Sequence, residues 1–202
     1  MKTHEGEVKV WDPVVRIFHW SLVLFVFAAF ATGEDFLKYH VQAGYAVFSL
    51  IAFRVIWGFV GPKYARFSEF FYRPKVVFQY LKDLVSFKAK RYIGHGPAGG
   101  SMVIALIIAL ILVSISGLAL YGGEEAAGPF AGFLAGTSSF WVKALEETHE
   151  IFAGLIAALV GFHVTGVLFS SFAHGENLIK SMITGYKPIE TVEHRPMKEE
   201  LQ

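Results

Sequence analysis

The sequence predicts an all-α integral membrane protein, a four-helix bundle that forms a single domain over residues 1–202. Hydrophobic residues make up 54% of the chain and the mean hydropathy is +0.48, values typical of a membrane protein. A soluble bundle would need helices with a polar face, and the four long apolar runs have none. The predicted elements are transmembrane helices at about 14–32, 40–60, 99–120 and 149–172, and a cytoplasmic amphipathic segment at about 74–90.

The first two predicted helices contain ionisable side chains within long apolar runs. Helix one has Arg16 and His19 in its first turns, and helix two begins at His40 and has Arg54 as its only charge. Such residues are costly in a membrane and normally face the bundle interior. We therefore expect each of them to have a partner or a bound group.

The segment that follows Pro74, KVVFQYLKDLVSFKAK, places its apolar residues broadly on one side and lysines opposite. This is the pattern of a basic helix lying on the membrane surface, and we expect it to anchor the chain to lipid headgroups. The segment SSFWVKALEE, before the fourth span, is interpreted as a shorter surface helix with Trp141 at the interface. Simple anchoring is favoured there over docking of a partner.

The fourth predicted helix carries two histidines in one otherwise apolar run, HEIFAGLIAALVGFH, from His149 to His163. Their spacing is nearly a whole number of turns, so both rings leave the helix on about the same side, roughly 21 Å apart along the axis. A membrane core about 30 Å thick would hold them at two depths. A single histidine could equally bond a neighbouring carbonyl, but two on one face favour binding of a cofactor.

Lysine and arginine set the predicted orientation. The connection between helices two and three and both chain ends are basic, whereas the other two connections are acidic and contain only Lys38 and Lys143. Both termini and the basic connection are therefore predicted to be cytoplasmic. The acidic connections would face the periplasm of a bacterial inner membrane.

This orientation converts each histidine position into a depth. Helix one runs outward and helix two inward, which places His19 in the inner half and His40 near the outer face. By the same reasoning, His149 is outer and His163 inner, so the predicted pairs are His40 with His149 and His19 with His163. Two trans imidazoles per level suit a six-coordinate haem iron that transfers electrons. A zinc site is disfavoured because histidines on two levels cannot complete one tetrahedron.

The chain contains no cysteine, which excludes disulfides, thiolate-bound iron–sulfur clusters and covalently attached c-type haem. The prediction is therefore two haems between the helices, held only by non-covalent side-chain ligation. Arg54 is assigned to a propionate of the inner haem, with snorkelling to headgroups as the competing interpretation, and Arg16 is a similar candidate. Gly44 and Gly154 would let the backbone approach a flat macrocycle, unless they serve ordinary helix packing.

Four other histidines are given simpler roles. His4 and His194 lie in polar tails and are expected to be solvated. His95 and His174 flank the third and fourth spans, where each could cap a helix, bond a propionate or serve proton transfer near a quinone. A structural role is the interpretation for both.

The chain resembles the bacterial cytochrome b561 and nickel–iron hydrogenase b-type cytochrome family. The matching stretches are WDPVVRIFHW, HVQAG, FRVIWGFVGPKYARF, YIGHGPAGG and HEIFAGLIAALVGFHVTGVLFSSFAHGENLIKSMITGYK. The resemblance implies four transmembrane helices, two b haems with ligands at His19, His40, His149 and His163, and electron exchange with quinone. Gly96 stands where the family often has asparagine, so any role of that side chain is absent here.

The predicted function is electron transfer, as a dihaem cytochrome b of the inner membrane, between the quinone pool and a periplasmic redox partner. That partner would be a cytochrome c or a hydrogenase-type subunit. The alternatives are a superoxide-oxidising quinone reductase, which the acidic outer connections disfavour, a haem-containing membrane anchor of a redox complex, and a transporter without haem. No interaction with nucleic acid is expected. Enzymatic activity and a homodimer are left open.

Overall fold

The computed structural model describes residues 6–33 and 35–189. His4, His194 and both chain ends, for which the sequence predicts solvation and a cytoplasmic location, lie outside the described residues. The helices are α1 (Pro13–Thr32), α2 (Leu37–Val60), α3 (Pro74–Val85), α4 (Pro97–Glu124), α5 (Ala131–Leu134), α6 (Ser139–His174) and α7 (Leu178–Thr184). Two short strands, β1 (Glu7–Lys9) and β2 (Tyr186–Pro188), and two 3₁₀ turns, Lys63–Ala65 and Phe67–Glu69, complete the described elements.

Four of these helices, α1, α2, α4 and α6, are long and apolar enough to cross a membrane, so the predicted four-helix membrane bundle is confirmed. In the bundle, α1 packs on α2, and α4 packs on both α2 and α6. The core between them consists of Phe18, Val47, Ile51, Ile107, Ala109, Leu110 and Ile156. Many other large apolar side chains point outward, as lipid-facing residues do.

The structure corrects the interpretation of SSFWVKALEE as a separate surface helix. From Ser139 onward this segment forms the first turns of α6, which runs without a break for 36 residues to His174. It contains no proline or glycine that would end a helix, and α6 stops only at Gly175, which has the left-handed φ of 62° that favours glycine. Because such a helix is about 54 Å long, it extends well beyond a membrane core of about 30 Å.

The helix after Pro74 is shorter than predicted. It begins at Pro74, in the first-turn position that proline favours, but it ends at Val85 instead of near residue 90. Phe87 adopts a positive φ of 55°, which an α-helix cannot accommodate. The chain therefore turns back here, and the Phe87 ring packs against Phe169 and Phe172 of α6.

The two ends of the described chain meet in a small structure that we call the terminal cap, formed by β1, α7 and β2. The strands pair antiparallel, with Val8 opposite Lys187. The backbone N–H groups of Val10 and Trp11 both donate to the Gly185 carbonyl, at 2.9 and 3.1 Å. Because β1 directly precedes α1, and α7 and β2 follow α6, the terminal cap lies at the end of the bundle where α1 begins and where α2 and α6 end.

Candidate cofactor sites

The structure brings His40 and His149 together near one end of the bundle, with ring centroids 6.0 Å apart. The Nδ1 of His40 lies 2.9 Å from the Ala29 carbonyl oxygen, and that of His149 lies 3.1 Å from the Val113 carbonyl oxygen. Since a carbonyl only accepts, each Nδ1 carries the proton and each Nε2 keeps its lone pair. Both rings are thus in the tautomer that a metal ion requires.

These two rings border an apolar cleft between the helices, whose empty space, including the part open to the surroundings, is about 760 Å³. Its remaining walls are mainly apolar or aromatic and come from α1, α2, α4 and α6. Gly44 borders the cleft, and a Cβ built on it would meet nothing within 4 Å. Gly154, in contrast, is exposed and does not border the cleft.

Gly117 of α4 is a further determinant of this site. A Cβ at this position would lie 2.7 Å from Cε1 and 3.1 Å from Nδ1 of His149. Only a glycine therefore lets the His149 ring occupy its observed place. Gly117 was not singled out in the sequence, because the contact depends on the way α4 and α6 cross.

The second pair, His19 and His163, lies nearer the terminal cap, with ring centroids 6.4 Å apart. The edge of the Trp20 ring packs against His19 at 5.2 Å between centroids. The Nδ1 of His19 is buried and has no hydrogen-bond partner among the described residues. Both predicted pairs are thus close in space, and each joins α6 to a different helix.

Five buried nitrogen atoms have no hydrogen-bond partner within residues 6–33 and 35–189, and all belong to residues at the cap end of the bundle. They are Arg16 Nε, His19 Nδ1, Arg54 Nη1, Trp57 Nε1 and His95 Nδ1. Leaving such a group unpaired costs about 1–3 kcal/mol, so five at one end of the bundle are unusual. They indicate that this region accommodates a polar group from outside the chain.

Arg54 points into the bundle and not toward the headgroups. Its side chain is only 4% exposed, and Nη2 donates to the Ala65 carbonyl at 3.1 Å. The guanidinium lies over the rings of Phe67 and Phe70, 5.1 and 6.0 Å from their centroids. The competing snorkelling interpretation is therefore wrong, and Nη1 is left available to an anion.

Arg16, the weaker propionate candidate, is turned toward the terminal cap. Its Nη1 donates to the Ile183 carbonyl, and its guanidinium lies beside Gly185. The contacts observed in the structure thus hold the cap to the start of α1, while Nε is buried without a hydrogen-bond partner among the described residues.

His95 does not cap α4, because Gly96 occupies the N-cap position and no side chain bonds there. The imidazole is instead held between Trp11 and Phe70, with both pairs of ring centroids 4.7 Å apart. Burial, followed by the nearby cations of Arg54 and Lys187, lowers the pKa of His95 to about 3. The ring is therefore neutral at physiological pH. In the sequence, His95 stands just before the third span, at the end of the bundle that also holds His19. That position was the signal for a role of His95 at this end of the bundle.

His174 has the structural environment that the sequence suggests. It lies in the last turn of α6, where a cationic or donor group is favourable, and its Nε2 is 3.4 Å from the Tyr80 hydroxyl. This contact links α6 to α3.

An ion cluster that the sequence analysis missed fastens β2 to the bundle. Glu176 accepts from Lys187 at 3.1 Å and from Arg91 at 2.9 Å, and the side chains of Glu176 and Lys187 are 5% and 4% exposed. Burial lowers the pKa of Lys187, and the Glu176 carboxylate opposes that shift. The available signal was Glu176, the first carboxylate after the fourth span, which is followed by Lys180 and Lys187.

Comparison with known proteins gives one consistent family. Residues 10–185 match the family model described as prokaryotic cytochrome b561. The probable Ni/Fe-hydrogenase 1 B-type cytochrome subunit of Escherichia coli strain K12 is 27% identical, over 88% of this chain and 89% of its own length. Corresponding subunits from Azotobacter chroococcum mcd 1 and Rhodobacter capsulatus are 25% and 24% identical, over 89% of this chain and 88% and 81% of theirs. No solved structure shows a significant match.

The family model covers most of the chain, including all four spans and all four paired histidines. The relatives align over nearly their whole lengths, so the likeness is not confined to one motif. The chain therefore belongs to the prokaryotic cytochrome b561 family of membrane b-type cytochromes.

Proposed function

We propose that this protein is a transmembrane dihaem cytochrome b that transfers electrons between the membrane quinone pool and a periplasmic redox partner. His40 and His149 would hold an outer haem, and His19 and His163 an inner one. The observation that carries the proposal is the presence of two facing imidazole pairs, both including α6 and separated by roughly 21 Å along it.

The spacing of the rings fits ligation of one iron by each pair. Metal–imidazole bonds of about 2.0–2.1 Å on both sides, plus roughly 1 Å from each nitrogen to its ring centre, give about 6 Å between centroids. The observed separations are 6.0 and 6.4 Å. Haem b would supply one-electron redox chemistry, and ligation of its iron by both imidazoles of a pair would favour electron transfer over oxygen activation.

At the outer site, the chain's own groups orient the ligands and exclude water. The Ala29 and Val113 carbonyls fix the tautomers of His40 and His149, a contact that also raises ligand basicity. Gly44 and Gly117 leave room beside the rings. The apolar walls of the cleft favour a flat, mainly hydrophobic group.

At the inner site, unpaired donors suit the two carboxylates that haem carries. Arg54 Nη1 and Trp57 Nε1 are buried without partners within the described ranges, and a guanidinium matches a carboxylate in shape and charge. His95, neutral at physiological pH, adds a third polar atom, Nδ1, in the same region. We therefore retain Arg54 as a propionate ligand and add His95, while Arg16 contributes through Nε.

The two ends of the bundle suit two different electron carriers. The connections on the His40 side expose Asp35, Glu124, Glu125, Glu146 and Glu147, which suits a partner with a cationic surface. The relatives named as Ni/Fe-hydrogenase B-type cytochrome subunits support a hydrogenase-type partner, and a cytochrome c is the alternative. Quinone would exchange at the cap end, which we place on the cytoplasmic side with both termini.

The test is the haem content of the purified protein, measured by the pyridine haemochrome spectrum. We expect two haems b per chain and about one after alanine substitution of any one of the four histidines. Double variants distinguish the levels: His40→Ala/His149→Ala should keep one haem, whereas His40→Ala/His163→Ala should keep none. One haem in the parent protein, or equal loss in both double variants, would contradict the two-level assignment.

A second candidate function is a membrane anchor for a redox complex. It is supported by the extension of α6 beyond the membrane core and by the relatives' designation as subunits. The haem-free variant His40→Ala/His163→Ala separates the two functions. Continued co-purification with the partner would support the role of an anchor. Loss of quinone reduction would support the role of an electron carrier.

A further inference from the structure

The helix α3 has two apolar faces, and only one of them packs on the bundle. Tyr80 and Leu84 form the first face. Leu84 is 7% exposed, and the Tyr80 hydroxyl lies 3.4 Å from His174 Nε2 of α6. The Tyr80 contact joins this face to α6, and α3 also packs on α4.

The second apolar face consists of Phe78, Leu81 and Val85, which have spacings of three and four residues and so lie in one row. At about 100° per residue, this row is turned by roughly a third of a circle from the bundle face. The three side chains are 68%, 42% and 71% exposed. Phe71, just before α3, is 75% exposed, and Phe87, just after it, stays 61% exposed despite its contacts with α6.

Two lysines border this second face. Lys75 and Lys82 are seven residues apart, which places them one above the other on the helix surface, beside the row of Phe78 and Val85. Neither forms an ion pair within the described part of the chain. The nearby acid, Asp83, accepts a hydrogen bond from Gln79 at 2.9 Å on the side away from the apolar row.

The depth of α3 matches the headgroup layer. Ile156 lies midway between His149 and His163 on α6, and we take its position as the centre of the membrane. Phe169 contacts the ring of Phe87, which follows directly after α3. Phe169 is 13 residues further along α6 than Ile156. That distance is about 20 Å along the axis. The hydrocarbon half-thickness is about 15 Å and the headgroups extend to about 20–22 Å.

We propose that α3 is a binding site for anionic phospholipids of the cytoplasmic leaflet. Phe78, Leu81 and Val85 enter the acyl boundary, and Lys75 and Lys82 bind the phosphate groups. An apolar row bordered by cations, at headgroup depth, is complementary to an anionic membrane surface. The site does not depend on the haems, although Tyr80 and His174 connect it to the cap end of the bundle.

The first test is native mass spectrometry of the full-length haem-loaded protein in a neutral detergent, titrated with phosphatidylglycerol or phosphatidylcholine. We expect tighter binding of phosphatidylglycerol. Lys75→Gln/Lys82→Gln should weaken it by about tenfold or more, since each lysine near an anionic surface contributes about fivefold, whereas Lys75→Arg/Lys82→Arg should retain it. Lys38→Gln/Lys143→Gln, on the opposite side of the membrane, is the matched control. Equal affinity for the two lipids, or equal effects of the two glutamine variants, would overturn the proposal.

The second test measures immersion of α3 and separates a lipid from a protein occupant. Because the chain has no cysteine, single nitroxide labels can be placed at Phe78→Cys and at Gln79→Cys, on the apolar and water-facing sides. In nanodiscs containing phosphatidylglycerol, the label at position 78 should be more accessible to oxygen than to a water-soluble nickel complex, and the label at 79 the reverse. Preferential access of the nickel complex to both labels would mean that α3 faces water and that its apolar row binds another protein, which would overturn the lipid assignment.

Discussion

Gly117 offers a direct test of the proposed outer haem site, because one methyl group there should displace His149, the proposed ligand, without altering the chemistry of its imidazole. In Gly117→Ala, the new Cβ would lie 2.7 Å from Cε1 of His149, whereas carbon atoms normally pack at about 3.5–4.0 Å. The His149 ring must therefore move by about 1 Å. The backbone of α4 cannot move as easily, because it packs against both α2 and α6.

The size of the effect follows from what this movement disrupts. It strains the side-chain torsions by about 0.5–1.5 kcal/mol and weakens the hydrogen bond from His149 Nδ1 to the Val113 carbonyl, worth about 1 kcal/mol. The sum, about 2 kcal/mol, corresponds to roughly a thirtyfold weaker affinity for the outer haem. Helix formation itself should improve slightly, since alanine is the better helix former.

The assay is a titration of haem-depleted protein with haem, followed by the pyridine haemochrome spectrum. Gly154→Ala is the matched control, because it is the same substitution in a spanning helix and its Cβ would meet nothing within 4 Å. We expect Gly117→Ala to retain the inner haem and to lose the outer one at haem concentrations that saturate the control. Identical titrations of the two variants would refute the assignment of His149 as a ligand held in place by Gly117.

Three further predictions concern the cap end of the bundle. Glu176→Gln leaves the cations of Arg91 and Lys187 without their carboxylate and should destabilise the terminal cap by about 3–5 kcal/mol. The measurement is amide hydrogen exchange, which should become faster in residues 176–188. The control variant Glu176→Asp should show a smaller effect. The folded-state pKa of His95, about 3, is below its ordinary value of 6.5, so the folded state binds fewer protons between these values and stability is lost as the pH falls through that window. The loss should be on the order of a few kcal/mol, and His95→Phe should remove this part of the pH dependence of chemical denaturation. Gly100→Ala would make Cβ overlap the Phe70 carbonyl oxygen and should lower the Tm. Gly99→Ala, whose Cβ would make only an ordinary contact with His95 Cδ2 at 4.0 Å, should leave it unchanged.

Much of the fold could be predicted because the relevant signals are local. Length and apolarity suffice to identify a span in a membrane, since every backbone polar group there must be satisfied within the helix. The same periodicity places His149 and His163 on one side of α6. What failed was the separate helix before the fourth span, because nothing in SSFWVKALEE marks a membrane boundary strongly enough to interrupt a helix.

The candidate site was predictable only in part. Pairing by depth needed just the orientation of the spans, and the structure brings the same pairs together. The inward direction of Arg54 was a choice between two interpretations, since a guanidinium at that position could reach either the headgroups or the bundle interior. The segment around Phe70, which folds back over Arg54, decided it.

The sequence by itself determined the number of spans, the spacing of the two histidines on α6 and the family. These depend on hydropathy and helical period, which are properties of neighbouring residues. Only the tertiary structure decided that Gly117 makes room for His149 and that His95 lies between Trp11 and Phe70. Such contacts join segments far apart in the chain, and their geometry depends on how the helices cross, which no local pattern encodes.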